Sequence, residues 1–343
     1  MLVLGIHDPL WTELVQACPQ ASPFHSPVWS LMLSECYGYR PLVLGLMGDH
    51  GRLLAGLPAL DVRGPLGRRR WVALPFTDYC PLLSRPGHGT QAERFTETLA
   101  QVAQANGLPA VEVHADLPDG PALYQTRRGF RHTLALSSDS GQVFRGFSRM
   151  HKRNIRRAER SGLEIHAGYS AADMQSFYRL HLLTRRRLGV PIQPRRFFRL
   201  LAQRMLNDGL GFVLSVRLHA QTIAAAVFVH GNGTLIYKYG ASDPVYWALR
   251  PNNGLFWTAI RWGCERGYHT LDWGRSDVED HGLREFKNGW GASEEVLTYA
   301  VVAADPPRRS SARPLRWALS ALIRCSPPWV CQLIGEAVYT HAA

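Results

Sequence analysis

Residues 144–162, FRGFSRMHKRNIRRAERSG, set Arg149, Lys152, Arg153, Arg156, Arg157 and Arg160 three, one, three, one and three positions apart. On a helix of about 3.6 residues per turn that spacing lines one face, and Asn154 lies within the same run. Residues 145–160 carry seven Lys/Arg against one Glu. Phe144, Phe147, Ile155 and Ala158 supply the opposite, core-facing stripe. Guanidinium forks grip phosphate in bidentate geometry, so the face suits a diphosphate, an RNA acceptor stem or lipid headgroups. The competing reading is a solvated amphipathic helix, although solvated faces normally mix charge signs.

The run YHTLDWGRSDVEDHGLREFKNGWGA, residues 268–292, begins as a strand and ends in a Gly-rich, aromatic-bearing turn. Asp272 sits where a strand ends and Gly274 lets a ligand approach the backbone, so the carboxylate is a candidate acceptor for the proton of an attacking amine. A turn aspartate bonded to nearby N–H groups is the alternative. Lys287 stands between Phe286 and Trp290, which aims its ammonium at a phosphate or a developing oxyanion. Read alone, it is a surface lysine with an apolar-packed stem.

Three weaker features follow. LPFTDYC places Asp78 and Tyr79 after a strand and a proline, as acceptor contacts or a plain turn. In YKYGAS, strand alternation puts Tyr237 and Tyr239 on one face and Lys238 on the other. RPNNGLFW sets Arg250, Asn252 and Asn253 before a helix, where free N–H groups favour an anion and asparagine favours capping. No His pairs with an acid or Cys at metal-ligand spacing, and the chain contains no GxSxG, P-loop or GxGxxG. Metal, triad and nucleotide-hydrolysing chemistries therefore have no support.

These residues need a scaffold. The chain has 343 residues, 46% hydrophobic and 19% charged, which favours about two domains and excludes disorder and collagen. No CxxC pair occurs among the six cysteines, so reduced, packed thiols are expected. PLVLGLM, GRLLAGLPAL, RRWVALPF and AVEVHA read as strands, and SPVWSLMLSECYG and QAERFTETLAQVAQANG as helices ending on Gly38 and Gly107. A comparable order returns with strands at GFVLSVRLHA, TIAAAVFVHGN, TLIYKYGA and HTLDWG. Helices there are expected at AADMQSFYRLHLLTRRRLG, QPRRFFRLLAQRMLNDG and NNGLFWTAIRWGCERG. Two α/β units result, 1–140 and 141–304, with a seam in the polar stretch 137–144. Residues 305–343 read as a linker and a helical tail broken by Pro327 and Pro328. Leu315, Leu319, Leu322 and Ile323 fall at helical spacing there, near Arg308, Arg309, Arg313, Arg316 and Arg324. The tail packs on the second unit or rests on a membrane.

Taken together, LPFTDY, RNIRRAERSG, LRPNNGLFWTAIRWGCERGYHTLDWG and GLREFKNGWGA resemble the FemAB-like acyltransferases of the acetyltransferase (GNAT) superfamily, which include peptidoglycan-bridge aminoacyltransferases. The resemblance runs from about Phe24 to Tyr299. It implies an α/β (α+β) fold of tandem GNAT-like units, each a mixed, mostly antiparallel sheet flanked by helices, followed by the C-terminal helical tail. It also implies that Phe286 and Lys287 serve the reacting acyl ester, and that Asp272 matches a strand-end aspartate of more distant relatives. The coiled-coil arm of some bridge-forming members is missing, as is the Q/R-x-x-G-x-G/A acyl-CoA loop.

The function expected is N-acyl transfer, with acyl-CoA or aminoacyl-tRNA as co-substrate and no resident cofactor or metal. The acceptor is an amine of a cell-envelope or exopolysaccharide precursor. Catalysis falls to Asp272, Lys287 and Phe286. Substrate binding falls to Arg149, Lys152, Arg153, Asn154, Arg156, Arg157, Asp78, Tyr79, Lys238, Tyr239, Arg250, Asn252, Gly274 and Trp290. The net charge of +12 implies a phosphate-bearing partner: CoA, tRNA, or a nucleotide- or lipid-linked precursor. With no signal-peptide pattern at MLVLGIHDPLWTEL and no long apolar run, the expected location is cytoplasmic, free or peripheral to the inner membrane. The rival is a non-catalytic RNA- or anionic-membrane-binding adaptor with the same fold.

Overall fold

In the computed structural model, residues 1–48, 50–64, 69–87, 90–105, 108–307 and 313–339 are described. Gly107, Arg308 and Arg309 lie outside these residues, as do the side chains of Arg313, Leu315 and Arg316. The chain divides into two compact units. Unit 1 holds Met1–Phe130 and Val296–Ser310, and unit 2 holds Arg131–Glu295 and Ser311–Tyr339.

Unit 1 contains β1 (Leu2–Leu4), α1 (Pro9–Ala17), α2 (Pro27–Tyr37), β2 (Arg40–Met47), β3 (Leu53–Arg63), β4 (Arg69–Ala73), β5 (Leu83–Ser84), α3 (Gln91–Gln104) and β6 (Ala110–Val113). Side-chain caps start the first two helices: Asp8 Oδ1 accepts from Leu10 N and Ser26 Oγ from Val28 N, each followed by a proline in the first turn. Gly38, at φ +76°, ends α2 as its sequence position predicts. The strands β1 to β4 pair antiparallel, and β6 joins β4 in parallel. Both faces of β2 are covered, which explains its unbroken apolar run. Leu42, Leu44 and Leu46 meet Phe95 and Leu99 of α3, while Val43 meets Trp11 and Leu14 of α1.

Unit 2 contains α4 (Ser140–Arg145), α5 (Arg149–Glu159), β8 (Glu164–Gly168), α6 (Ala171–Leu188), α7 (Arg195–Leu201), β9 (Gly211–Leu218), β10 (Gln221–Gly231) and β11 (Thr234–Ser242). It continues with α8 (Pro251–Glu265), β12 (Thr270–Asp277), α9 (His281–Asn288), α10 (Arg313–Cys325) and α11 (Pro328–Tyr339). Strands β8 to β11 are antiparallel neighbours, and β12 pairs with β11 in parallel. Leu255, Phe256, Ile260 and other side chains of α8 form the main core with Phe212, Leu214, Phe228, Trp273 and Trp290.

Two long strands, β7 (Leu123–Ala135) and β13 (Ser293–Val302), give one end to each unit. The units therefore change at 130/131, ten residues before the seam expected at 140/141, and residues 296–310 rejoin unit 1. The polar stretch at 137–144 is instead a capped helix start inside unit 2, where Asp139 Oδ1 accepts from Gly141 N at 2.8 Å. The helices of the tail belong to unit 2. Cys331 Sγ donates to Val190 O, Arg186 Nε to Ser326 O, and Arg324 Nη2 to Leu188 O, so α10 and α11 pack beside α6.

One expectation about side-chain direction is corrected. Between Val227/Tyr239 and Phe228/Tyr237 the ladder shifts register, which makes Lys238 the extra residue of a β-bulge. The bulge breaks the strand's two-residue period. Tyr237 consequently packs on Phe256 and Trp273, whereas Tyr239 packs on Phe197 and Phe198.

Two outcomes follow from this packing. His25 is fully buried between Ser22 N and Pro81 O, and burial lowers its pKa to about 4. The unfolded chain takes up the proton first, so this contribution to stability is complete above about pH 6.5 and falls as the pH drops toward 4. Denaturant titrations at pH 7 and pH 5 should differ by about 2 kcal/mol from this group, and His25→Gln should shrink the gap. In α11, a Cβ on Gly335 would collide with the Ile192 carbonyl. Gly335→Ala should cost roughly 1–3 kcal/mol of overpacking and expose the tail to limited proteolysis.

Candidate active site

Ser148 opens α5, its hydroxyl accepting from His151 N at 3.3 Å. The amphipathic reading of this helix holds in the structure: Ile155 and Ala158 are buried, and Arg149, Arg153, Arg156, Arg157 and Arg160 are exposed. No carboxylate among the described residues pairs with Arg149, Arg153, Arg156 or Arg157. Lys152 turns aside, donating to Arg145 O at 2.7 Å and lying over the Phe144 ring. Asn154 is on the packed side.

His151 fixes the helix in place. It is fully buried, stacks on Trp290 with ring centroids 4.5 Å apart, and donates from Nε2 to Phe286 O at 3.0 Å. The Asn253 amide donates to its Nδ1 at 2.8 Å. Desolvation lowers its pKa against the pull of the Phe286 carbonyl, so the ring is a neutral connector. A Cβ on Gly289 would strike the ring, so glycine there permits the close approach. Through these contacts the arginine helix is tied to the first turn of α8 and to α9. Position 151 is four before Ile155 on the packed stripe, and that spacing is the local signal for a buried histidine.

The second element is a fork. β11 and β12 pair only through Thr234–Ile236 with Thr270–Asp272, and beyond it β11 continues to Ser242 and β12 to Asp277. Asp272 sits at the point of divergence and is 5% exposed. Its Oδ2 accepts from Arg131 Nε at 2.9 Å and lies 2.7 Å from Arg131 Nη2, while its Oδ1 accepts from Gly274 N at 2.7 Å. A carboxylate offers about four acceptor positions, so one remains. Gly274 adopts φ +71°, a conformation that glycine enters without steric cost.

Lys287 lies in α9, a helix where the sequence reading expects a turn. At 3% exposure it is not a surface lysine. Its Nζ donates to Gly274 O at 3.0 Å and Arg275 O at 3.1 Å, the backbone that follows the fork. The ammonium also helps to lower the pKa of His132, after the larger effect of burial. Phe286 packs on the His151, Phe256 and Trp273 rings, and Trp290 is fully buried in the same cluster.

The remaining residues scatter. Arg250 takes φ +61° at the start of α8 without a side-chain cap. Asn252 donates to Ser242 Oγ and Asn253 to His151, so neither caps the helix. Asn252, Tyr237, Gly240 and Phe256 border a cavity of about 120 Å³ at the α8 end of β11. The Lys238 ammonium lies over the Tyr239 ring. Asp78 and Tyr79 belong to unit 1, where the Tyr299 hydroxyl donates to Asp78 O. They follow a turn in which Leu74 and Phe76 have positive φ. Arg131, which orients Asp272, is not among the residues that the sequence singles out. It sits in a strand of mixed polarity, and nothing local to it indicates a partner 141 positions away. Among the described residues no three His, Cys, Asp or Glu side chains are grouped to hold a metal ion.

Residues 145–288 match the family model described as an acetyltransferase (GNAT) domain. No curated protein matches the chain. Among solved structures the crystal structure of FemX is similar, with TM-score 0.68 and 13% identity over 93% of this chain and 100% of that one. L-PGS from Bacillus licheniformis gives TM-score 0.52 and 13% identity, over 94% and 98% of the two chains. A tandem GNAT protein from the clavulanic acid pathway gives TM-score 0.52 and 11% identity, over 90% and 99%. These identities establish likeness of fold, and the acetyltransferase (GNAT) domain matched at residues 145–288 contains both the fork and the arginine helix.

Proposed function

We propose that the chain moves an acyl or aminoacyl group from an activated, phosphate-bearing donor, acyl-CoA or aminoacyl-tRNA, onto an amine of a cell-envelope or exopolysaccharide precursor in the cytoplasm. The observation that carries this reading is the fork at Asp272. Two parallel strands that part leave main-chain edges for an extended donor arm, and the carboxylate at the point of divergence keeps an acceptor position. The α5 arginines supply the phosphate grip, and His151 ties that helix to α8 and α9, the helices that follow the two fork strands. The name of a further structural neighbour, the C-terminal domain of a putative lysylphosphatidylglycerol synthetase from Agrobacterium fabrum (TM-score 0.52, 13% identity), supports an aminoacyl donor and an envelope acceptor.

In this mechanism the acceptor amine attacks the donor carbonyl directly. The ester or thioester bond breaks as the amide forms. Asp272 accepts the amine proton, which then leaves with the departing alcohol or thiol. Arg131 and the Gly274 amide fix the carboxylate's direction before substrate arrives. Lys287 acts as a positioning residue: its ammonium holds the carbonyls of Gly274 and Arg275 and thereby sets the course of β12 past the fork. Binding energy from the phosphates aligns the reacting atoms, so no covalent enzyme intermediate is needed.

Three variants test the assignment. Arg149→Glu/Arg153→Glu/Arg156→Glu should weaken donor binding at least tenfold and flatten its salt dependence by about 0.7 to 0.9 for each phosphate no longer neutralised. Equal affinity and equal slope would remove the phosphate grip. Asp272→Asn should lower kcat by about 10²-fold or more with donor affinity retained. Lys287→Met removes the ammonium's two bonds to Gly274 O and Arg275 O and should cost about 3 kcal/mol in denaturant titration. A panel of acyl-CoAs and charged tRNAs in the same binding assay identifies the donor.

A further inference from the structure

We propose that the groove between α6 and α7 binds the anionic headgroup and first chain segment of a lipid presented by a bilayer. This rests on the acyl-transfer reading only in making that lipid the carrier of the acceptor amine.

The groove encloses about 420 Å³. Met174, Phe198 and Ala202, all buried, form an apolar floor. Arg179, Arg196 and Arg199 stand exposed around the same groove, and no acidic side chain lines it among the described residues. No carboxylate among the described residues pairs with these three arginines. A soluble polyanion has no use for the apolar floor, and a neutral lipid has no use for the guanidinium groups. An anion attached to a hydrocarbon chain satisfies both. At Ala202 the helix widens into a π turn, with Asn207 N donating to Ala202 O at 3.1 Å, and such turns concentrate at functional sites.

A second observation points to the bilayer as the source. Tyr178, which also borders the groove, shares a hydrogen bond with the Gln332 side chain of α11 at 3.1 Å. On α10 and α11, Trp317 is 75% exposed, Trp329 58% and Leu333 56%, although the same helices bury Ile323 and Cys331, the latter donating to Val190 O just past α6. Large apolar side chains left in water on amphipathic helices fit the headgroup layer, where tryptophan is favoured. No described helix is long and apolar enough to cross a membrane, so these helices would lie along the surface. The net charge of +12 draws the protein to anionic lipid.

Co-sedimentation of the full chain with phosphatidylcholine vesicles, with and without phosphatidylglycerol, tests this. Binding should favour the anionic vesicles by at least about tenfold, and Arg196→Glu/Arg199→Glu should abolish the preference. Ala202→Trp, which fills the groove without changing charge, should lower binding by a similar factor. Excess inorganic phosphate should not displace the vesicles. Wild-type binding by Ala202→Trp, or displacement by inorganic phosphate, overturns the proposal. Should Ala202→Trp fail to fold, the exposed arginine pair carries the test, and its retaining the preference is equally fatal. A chain that selects anionic vesicles through this groove yet transfers no acyl group keeps the inference and sinks the acyl-transfer reading. One that transfers acyl groups while binding vesicles regardless of the groove does the reverse.

Discussion

A buried ammonium bonded to two main-chain carbonyls governs the geometry around which unit 2 is arranged. Lys287 Nζ reaches Gly274 O and Arg275 O from α9, so the strand leaving the fork and the helix that follows it are fixed to one another. A desolvated cation costs several kcal/mol when its partners are lost, which makes any other course for this segment expensive. Gly274 contributes to both sides of the arrangement. Its carbonyl accepts a hydrogen bond from Lys287 Nζ and its amide donates to the Asp272 carboxylate, while its positive φ turns both groups the required way. Arg131 completes the set from β7, and Asp272 has little freedom to rotate.

The arginine helix depends on that anchor through a second buried connection. His151 joins a carbonyl of α9 to an amide of α8 and lies flat on Trp290. A neutral imidazole suits the position because one ring nitrogen donates while the other accepts, so two helices can be joined without a buried charge. The outward arginines therefore owe their location to a residue on the opposite side of their own helix. Substitutions on the packed side should disturb anion binding as surely as those on the charged face.

Polar anchors of this kind explain which parts of the molecule can be read in advance. The amphipathic face of α5, the apolar strands β2, β3, β9 and β10, and the helix end at Gly38 follow from local periodicity and capping, which act over a few residues. The resemblance to FemAB-like acyltransferases agrees with the matched domain at 145–288. Lys287 is legible as a candidate but not as a buried group, because its partners are main-chain carbonyls that any residue could have provided. The opposed directions of Tyr237 and Tyr239 are hidden as well. A single bulge residue at Lys238 reverses the alternation, and a bulge depends on strand pairing rather than on composition.

The sequence by itself determined the two α/β units, the charged face at 149–160, and the candidate residues Asp272 and Lys287, since propensity, period and charge reside in the residues themselves. Tertiary structure alone decided that Arg131 orients Asp272, that His151 secures the arginine helix, that the units change within β7 and β13, and that the tail packs on α6. Each of these joins groups distant along the chain. Only strand pairing and burial bring such groups within bonding distance, and no local rule carries that information.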